Sequence, residues 1–261
     1  MLSIYRSNRA EWLASVLTEQ LRLNPPDLFA PVDVVVNTWP TSRWLGEQIA
    51  LTNGISALVR FPFPGTFLRQ LVKIILGIGS ESQDPWSANR LVWTLLELLP
   101  EFLETEEAEP LLKWASLQPF SSKDLNREQW NLAHSIADTF DDYALYRPQL
   151  LHQWIHETRQ SASLPKSLSW QPTLARLIAD KIEGEPFGLQ VGQAVLKLIN
   201  GEVSPEDLPT DLRFFGLSSL APVQLELIKA LSGVTNVHMF ILSPCRDLWK
   251  RCVRRSEVYS S

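Results

Sequence analysis

Cysteine is almost missing from this 261-residue chain: only Cys245 and Cys252 occur, close together near one end. Two thiols in that arrangement resemble neither a disulfide framework nor a zinc ligand set. No run of about 18 apolar residues is present, and the opening MLSIYRSNRAEW lacks the apolar stretch of a signal peptide. A cytoplasmic location without a membrane partner is the expectation. Positive charge is also short. Lys and Arg number 24 against 29 Asp and Glu, a net charge of −5, which argues against a free-standing basic DNA binder. A narrow channel that admits one strand, with partner subunits supplying charge, stays open. The string G-K-[ST] occurs nowhere, so the lysine-bearing phosphate loop of a motor ATPase is lacking.

What is present begins with size. Hydrophobic residues make up 45% and charged residues 20%, ordinary for a globular protein. The length suits one large α/β domain, or a core with an inserted subdomain. Ten tryptophans are the one oddity of composition. Most such rings anchor cores and interfaces; one on a loop, such as Trp39, is a candidate platform on which bases stack.

The organising stretch is Val32 to Ile49, VDVVVNTWPTSRWLGEQI. A β-branched run stops at Asn37, crosses a polar turn and enters an amphipathic segment with Leu45 and Ile49 one turn apart. Buried strand, turn and helix form the opening unit of an α/β nucleotide-binding domain. Here the turn, Thr38 to Arg43, contains no glycine and no lysine. Trp39 adds bulk where open backbone is needed, and Pro40 removes an amide donor. This reads as a phosphate-loop position that cannot hold ATP.

Around it the pattern alternates. Leu2, Ile4 and Tyr5 suggest a first strand. Asn8 with Glu11 reads as a capping box, opening a helix with Trp12, Leu13, Val16, Leu17 and Leu21 facing inward and Pro25-Pro26 ending it. A further strand is expected at Leu58–Phe61, stopped by Pro62 and Pro64, which completes the β-α-β-α-β rhythm of a parallel sheet. From Thr66 to about Asn200 the pattern is nearly all helical. Helices are expected from Asp84-Pro85, with Pro100 interrupting or bending the first, and then over Asp124–Tyr146, Pro172–Glu183 and Leu189–Ile199. Thr158 to Ser169 reads as a loop. Strands resume at Leu212–Phe215 and Val237–Leu242, with a helix over Pro222–Leu231 between them. The expected organisation is an α/β core of inactive helicase 1A type at 1–65 and 209–250, a helical insertion of 1B type at 66–208, and a truncated tail at 251–261.

Motor ATPases also place a carboxylate at a strand end to hold magnesium. The candidate strand ends in Gly216-Leu217-Ser218-Ser219, with none. A second cluster, His134, Asp138, Asp141 and Asp142, shares one helix face. It reads as a solvated acidic face, with a divalent metal site as the sharper alternative and hydrogen bonding to base amino groups as a third use. Arg147 lies within two turns and is placed to pair with Asp142 or the Tyr143 carbonyl region. His152 and His156 stand in HQWIHE, which lacks the H-E-x-x-H order of a metalloprotease, and read as ordinary histidines.

Five strings in order then become specific: MLSIYRSNRAEWL, VRFPFPGTFL, ADTFDDYALYRP, FFGLSSLAPVQLELIKAL and SPCRDLW. Together they resemble the N-terminal part of the RecC family, the gamma subunits of exodeoxyribonuclease V. The resemblance implies a P-loop/helicase-like fold, α/β with a parallel sheet and a large all-α insertion, that has lost its ATPase motifs. It implies a non-catalytic subunit that clamps RecB-like and RecD-like partners, helps split the duplex fork and threads the 3′-ended single strand through a channel. No cofactor would be bound by this chain, ATP and Mg being used by the partners.

Carried over by the resemblance, the strand-contacting positions are Asn37, Trp39, Arg43, Phe63, Arg69, Asp138, Asp141, Asp142 and Arg147. FPFP, Asp138, Phe140, Asp141, Tyr143, Tyr146 and Arg147 keep the family pattern. The turn NTWPTSR, Arg69 and Asp142 depart from it. Family members continue well past SPCRDLW, so the chain is expected to be a fragment. The competing readings are an active ATPase of the related helicase–nuclease class, an interaction module that never meets DNA, and a metal site at His134, Asp138 and Asp141.

Overall fold

The computed structural model describes residues 1–25, 30–79, 84–115, 127–156 and 164–245. Within them lie five strands, β1 (Leu2–Ser7), β2 (Val32–Val35), β3 (Val59–Arg60), β4 (Asp211–Phe215) and β5 (Asn236–Leu242). All pair in parallel in the order β1-β5-β4-β2-β3. Three helices fall among the first strands: α1 (Ala10–Leu23), α2 (Trp39–Asn53) and α3 (Pro64–Leu76). Six follow: α4 (Ala88–Phe102), α5 (Glu109–Ala115), α6 (Arg127–Tyr146), α7 (Pro148–His156), α8 (Trp170–Lys181) and α9 (Phe187–Ile199). The tenth, α10 (Pro222–Leu231), connects β4 to β5. The fold class is therefore α/β with a parallel sheet. Two compact units divide the chain, one comprising residues 1–75, 198–220 and 228–261, the other 76–197 and 221–227.

In the α/β unit, α1 and α2 lie on one face of the sheet. Leu13, Leu17, Leu45 and Ile49 pack there with Val34, Val36, Phe215 and Phe240. On α1 the buried face is Leu13, Ala14, Leu17, Thr18 and Leu21, which corrects the expected inward set: Trp12 is 60% exposed and Val16 is exposed. Two residue sets one position apart share the same spacing, and the sheet takes the narrower one. Trp12 instead lies under the Arg9 guanidinium, 5.2 Å from the ring centre. The Asn8 capping box is also corrected. The cap position is Arg9, without a side-chain cap, and the Ser7 hydroxyl accepts the Arg9 amide at 3.1 Å.

A polar chain pins α1 to the strands. Gln20 Nε2 donates to the Tyr5 hydroxyl at 2.8 Å and lies 3.3 Å from His238 Nδ1. His238 Nε2 faces Asp211 at 3.3 Å, and Asp211 accepts from Arg213 at 3.2 Å. The strand expected at 58–61 is only Val59–Arg60. It is held to β2 by a two-pronged ion pair, in which Arg60 Nε and an Arg60 terminal nitrogen donate to the two Asp33 oxygens at 2.8 and 2.6 Å.

The helical unit packs α4, α6, α7 and α8 around Leu91, Leu95, Ile136, Phe140, Trp154 and Leu174. Helix α4 starts at Ala88, later than Asp84-Pro85, because residues 84–87 form a turn. The Asp84 carboxylate accepts the Trp86 amide at 3.0 Å, and the Ser87 hydroxyl donates to the Asp84 carbonyl at 2.8 Å. Pro100 sits inside α4, which continues to Phe102. The loop expected to end at Ser169 contains a 3-10 turn at Lys166–Leu168. The expected helix start at Asp124, the stop at Pro26, most of SPCRDLW and the tail 251–261 lie outside the described residues.

Candidate nucleic-acid interface

The connection leaving β2 runs to β3 on one side, and the one leaving β4 runs to β5 on the other. Since β2 and β4 are neighbours, their carboxyl ends frame the sheet's topological switch point, where open α/β sheets place ligands. Asn37 stands two residues beyond the end of β2, after Val36. The expected six-residue turn is shorter than its sequence suggests, because Trp39 and Pro40 already belong to the first turn of α2. Proline is compatible there, since an amide at that position has no helical acceptor.

That first turn is poor in anion donors. Pro40 supplies no amide, and Thr38 as the cap accepts the Thr41 amide on its hydroxyl at 3.3 Å. Across the crevice, Asn37 Nδ2 donates to Ser218 Oγ at 3.3 Å. Ser218 is the residue that sequence reading missed. Its strand end was notable only for lacking a carboxylate, and the partnership needs the strand order to be seen. Gly216, with φ +67°, makes the turn out of β4, and its amide donates to the Phe240 carbonyl at 2.9 Å.

Two rings stand beside this crevice. Trp39 is 68% exposed and meets the half-buried Phe63 edge-on, with centroids 5.5 Å apart and planes at 90°. The FPFP turn is positioned by the sheet itself, through the Val36 amide, which donates to the Pro62 carbonyl at 3.1 Å. Pro64 then opens α3, and the Phe67 amide closes its first turn on the Phe63 carbonyl at 3.0 Å. Arg43, one turn beyond Trp39 on α2, is exposed. The structure thus gathers Asn37, Trp39, Arg43 and Phe63 around one end of β2. Arg69 lies in the second turn of α3, its guanidinium beside Gly65.

The remaining four positions belong to the helical unit. Asp138 and Asp142 are exposed on α6, as is Arg147 in the single-residue step between α6 and α7. Asp138 meets His134 Nδ1 at 3.1 Å. Asp141 does different work: its carboxylate accepts the Ala88 amide at 3.3 Å, at the first residue of α4. It is the backbone amide of Arg147 that meets the Tyr143 carbonyl, at 2.9 Å. Tyr143 packs inward, donating to Gln171 at 3.1 Å and lying edge-on to Trp154 at 5.2 Å. With Asp141 directed at α4, His134, Asp138 and Asp141 do not converge, and among the described residues no group of three His, Cys, Asp or Glu side chains is placed to hold a metal ion. His152 and His156 lie 4.5 Å apart, ring centre to ring centre.

Residues 2–260 match the family described as RecC, N-terminal domain. The chain belongs to the RecC family. It is 29% identical over 260 residues to the RecBCD enzyme subunit RecC of Escherichia coli K12, covering 95% of this chain and 22% of that protein. The RecC subunits of Haemophilus influenzae and Mycolicibacterium smegmatis are 27% and 29% identical, again over 95% of this chain. The chain therefore spans a little under a quarter of the length of these curated RecC relatives, 24% and 22% respectively for the last two. No helix among the described residues is long and apolar enough to cross a membrane.

Proposed function

We propose that this chain is the N-terminal, non-catalytic portion of a RecC-type subunit. It acts in the cytoplasm within a RecBCD-type helicase and exonuclease, in double-strand-break repair by homologous recombination. In this reading the α/β unit is a helicase-like domain of 1A type that guides the 3′-ended single strand, and the helical unit is its 1B-type insertion. RecB-like and RecD-like partners hold the ATP and magnesium. The observation that carries the reading is the exposed Trp39, set edge-on to Phe63 beside the switch point. A planar ring there offers stacking to any base, while the first turn of α2 has one amide missing and another already bonded. Asn37 and Arg43 supply the polar contacts that orient a base and meet a phosphate.

The test is made in the assembled complex. A photoreactive single-stranded oligonucleotide should label the peptides that carry Trp39 and Arg147. The Trp39→Ala, Phe63→Ala double variant should lower single-strand processing. Unchanged labelling and unchanged processivity in the double variant would sink the assignment. Saturable ATP binding by this chain alone would favour a working ATPase instead.

A further inference from the structure

The helical unit carries a ladder of rings that none of the carried-over positions includes. Trp93 on α4 is 59% exposed and meets Trp130, in the first turn of α6, at a centroid distance of 5.5 Å and an angle of 67°. One turn further, the His134 ring lies 6.4 Å from Trp130. Its Nδ1 faces Asp138 Oδ2 at 3.1 Å, which holds the imidazole in place. Arg127, one turn before Trp130, is exposed at the start of the same helix. An indole left in water forgoes a large burial gain, so this ring invites a partner.

The side chains around it narrow what that partner is. On α4 and α6 the exposed large hydrophobic residues are Trp93 and Tyr146, and no Leu, Ile, Val or Met joins them. A groove for an amphipathic protein helix presents aliphatic surface at helical spacing. Here Leu91, Leu95, Leu132 and Ile136 are buried, and Leu96, Leu98 and Leu145 are half-buried, so no Leu, Ile or Val side chain of either helix is exposed. Flat rings flanked by an ordered His–Asp pair suit a nucleobase, which has a face to stack and an edge to hydrogen-bond. Arg127 is placed to meet the accompanying phosphate.

We propose that Trp93, Trp130 and His134 form a second stacking platform for single-stranded DNA, continuing along α6 from Asp138. This rests on the reading above that the strand passes Asp138. From Trp130 to Asp138 is about 12 Å of helix, a distance roughly four stacked nucleotides span at ~3.4 Å each.

The experiment uses the assembled complex and a thymidine oligomer carrying 5-iododeoxyuridine, irradiated and mapped by peptide mass spectrometry. Adducts are expected on Trp93 or Trp130 as well as on Trp39. Trp93→Ala should remove the first set and weaken oligomer binding roughly tenfold, and Trp93→Tyr should restore binding. Adducts on Trp39 with none on Trp93, Trp130 or His134 overturn the platform and leave the channel reading standing. Adducts at none of these positions overturn both. Trp93 crosslinked to another protein subunit, with oligomer affinity unchanged in Trp93→Ala, also overturns the platform. The wild-type adduct map decides the matter even where a variant folds poorly.

Discussion

The amide of Val36 donates to the carbonyl of Pro62 at 3.1 Å, and this bond fixes the FPFP turn against the end of the second strand. Trp39 and Phe63 meet as a consequence, although 24 positions separate them in the sequence. An edge-on aromatic pair contributes about 0.5–1.5 kcal/mol beyond burial. A double-mutant cycle with Trp39→Ala and Phe63→Ala, read by urea unfolding, should give a coupling energy of that size. Strict additivity would mean that the two rings are held independently.

Asp141 and Asp138 should separate cleanly. Asp141→Ala removes an acceptor from the first amide of α4 and should cost about 1 kcal/mol. Asp138→Ala, on an exposed side chain, should change stability by less than about 0.5 kcal/mol yet weaken single-strand contact in the assembled complex. Thermal unfolding beside oligonucleotide binding checks both. Equal losses of stability would contradict the division of labour.

Gly188 has no room for a side chain. It lies at the start of α9, where a β-carbon would overlap the Ala144 carbonyl oxygen and come within 2.6 Å of Pro148 Cβ. Backbone on one side and a rigid ring on the other leave little to give. Gly188→Ala is expected to destabilise by about 3 kcal/mol, seen as a large drop in Tm. A shift within experimental scatter would show that α9 can slide.

Arg22 holds the Glu19 carboxyl below its ordinary value of 4.5, chiefly through the hydrogen bonds it donates. A carboxyl depressed by folding adds stability above its unfolded pKa and loses it as pH falls through the folded value. Any contribution is thus complete at neutral pH and disappears below about 4.5. Both side chains are exposed, so the effect is small. Carboxyl-carbon NMR should show Glu19 titrating higher in Arg22→Gln than in the wild type. The same midpoint in both proteins would remove Arg22 as the cause.

Much of this architecture was legible locally. The α10 bounds, Pro222–Leu231, are those the spacing predicts, and the valine run does form the strand that leads to Asn37. Misreadings arose where a local rule admits two answers. Trp12 and Leu13 fit the same helical period, and only the sheet decides which set is buried. Leu58 and Phe61 fit a strand pattern, yet only Val59 and Arg60 pair in register with β2, and Leu58 adds a single bond, its carbonyl accepting the Val32 amide at 2.9 Å. Of the candidate interface, the sequence supplied the residue types, and the RecC resemblance selected the positions. Neither could pair Asn37 with Ser218 or Trp93 with Trp130, because such contacts depend on strand order and helix packing, which leave no mark on neighbouring residues.

The strand order also has a bearing on synthesis. Among the described residues β1 pairs with β5 alone, and the Met1 ammonium group bonds the Thr235 carbonyl 234 residues away. β4, which joins β5 to β2, emerges nearly as late. A ribosome therefore exposes the first strand, with its unpaired edge, long before anything can cover it. Nascent chains that stop short of β5 are expected to bind chaperones more than chains in which β5 has left the exit tunnel.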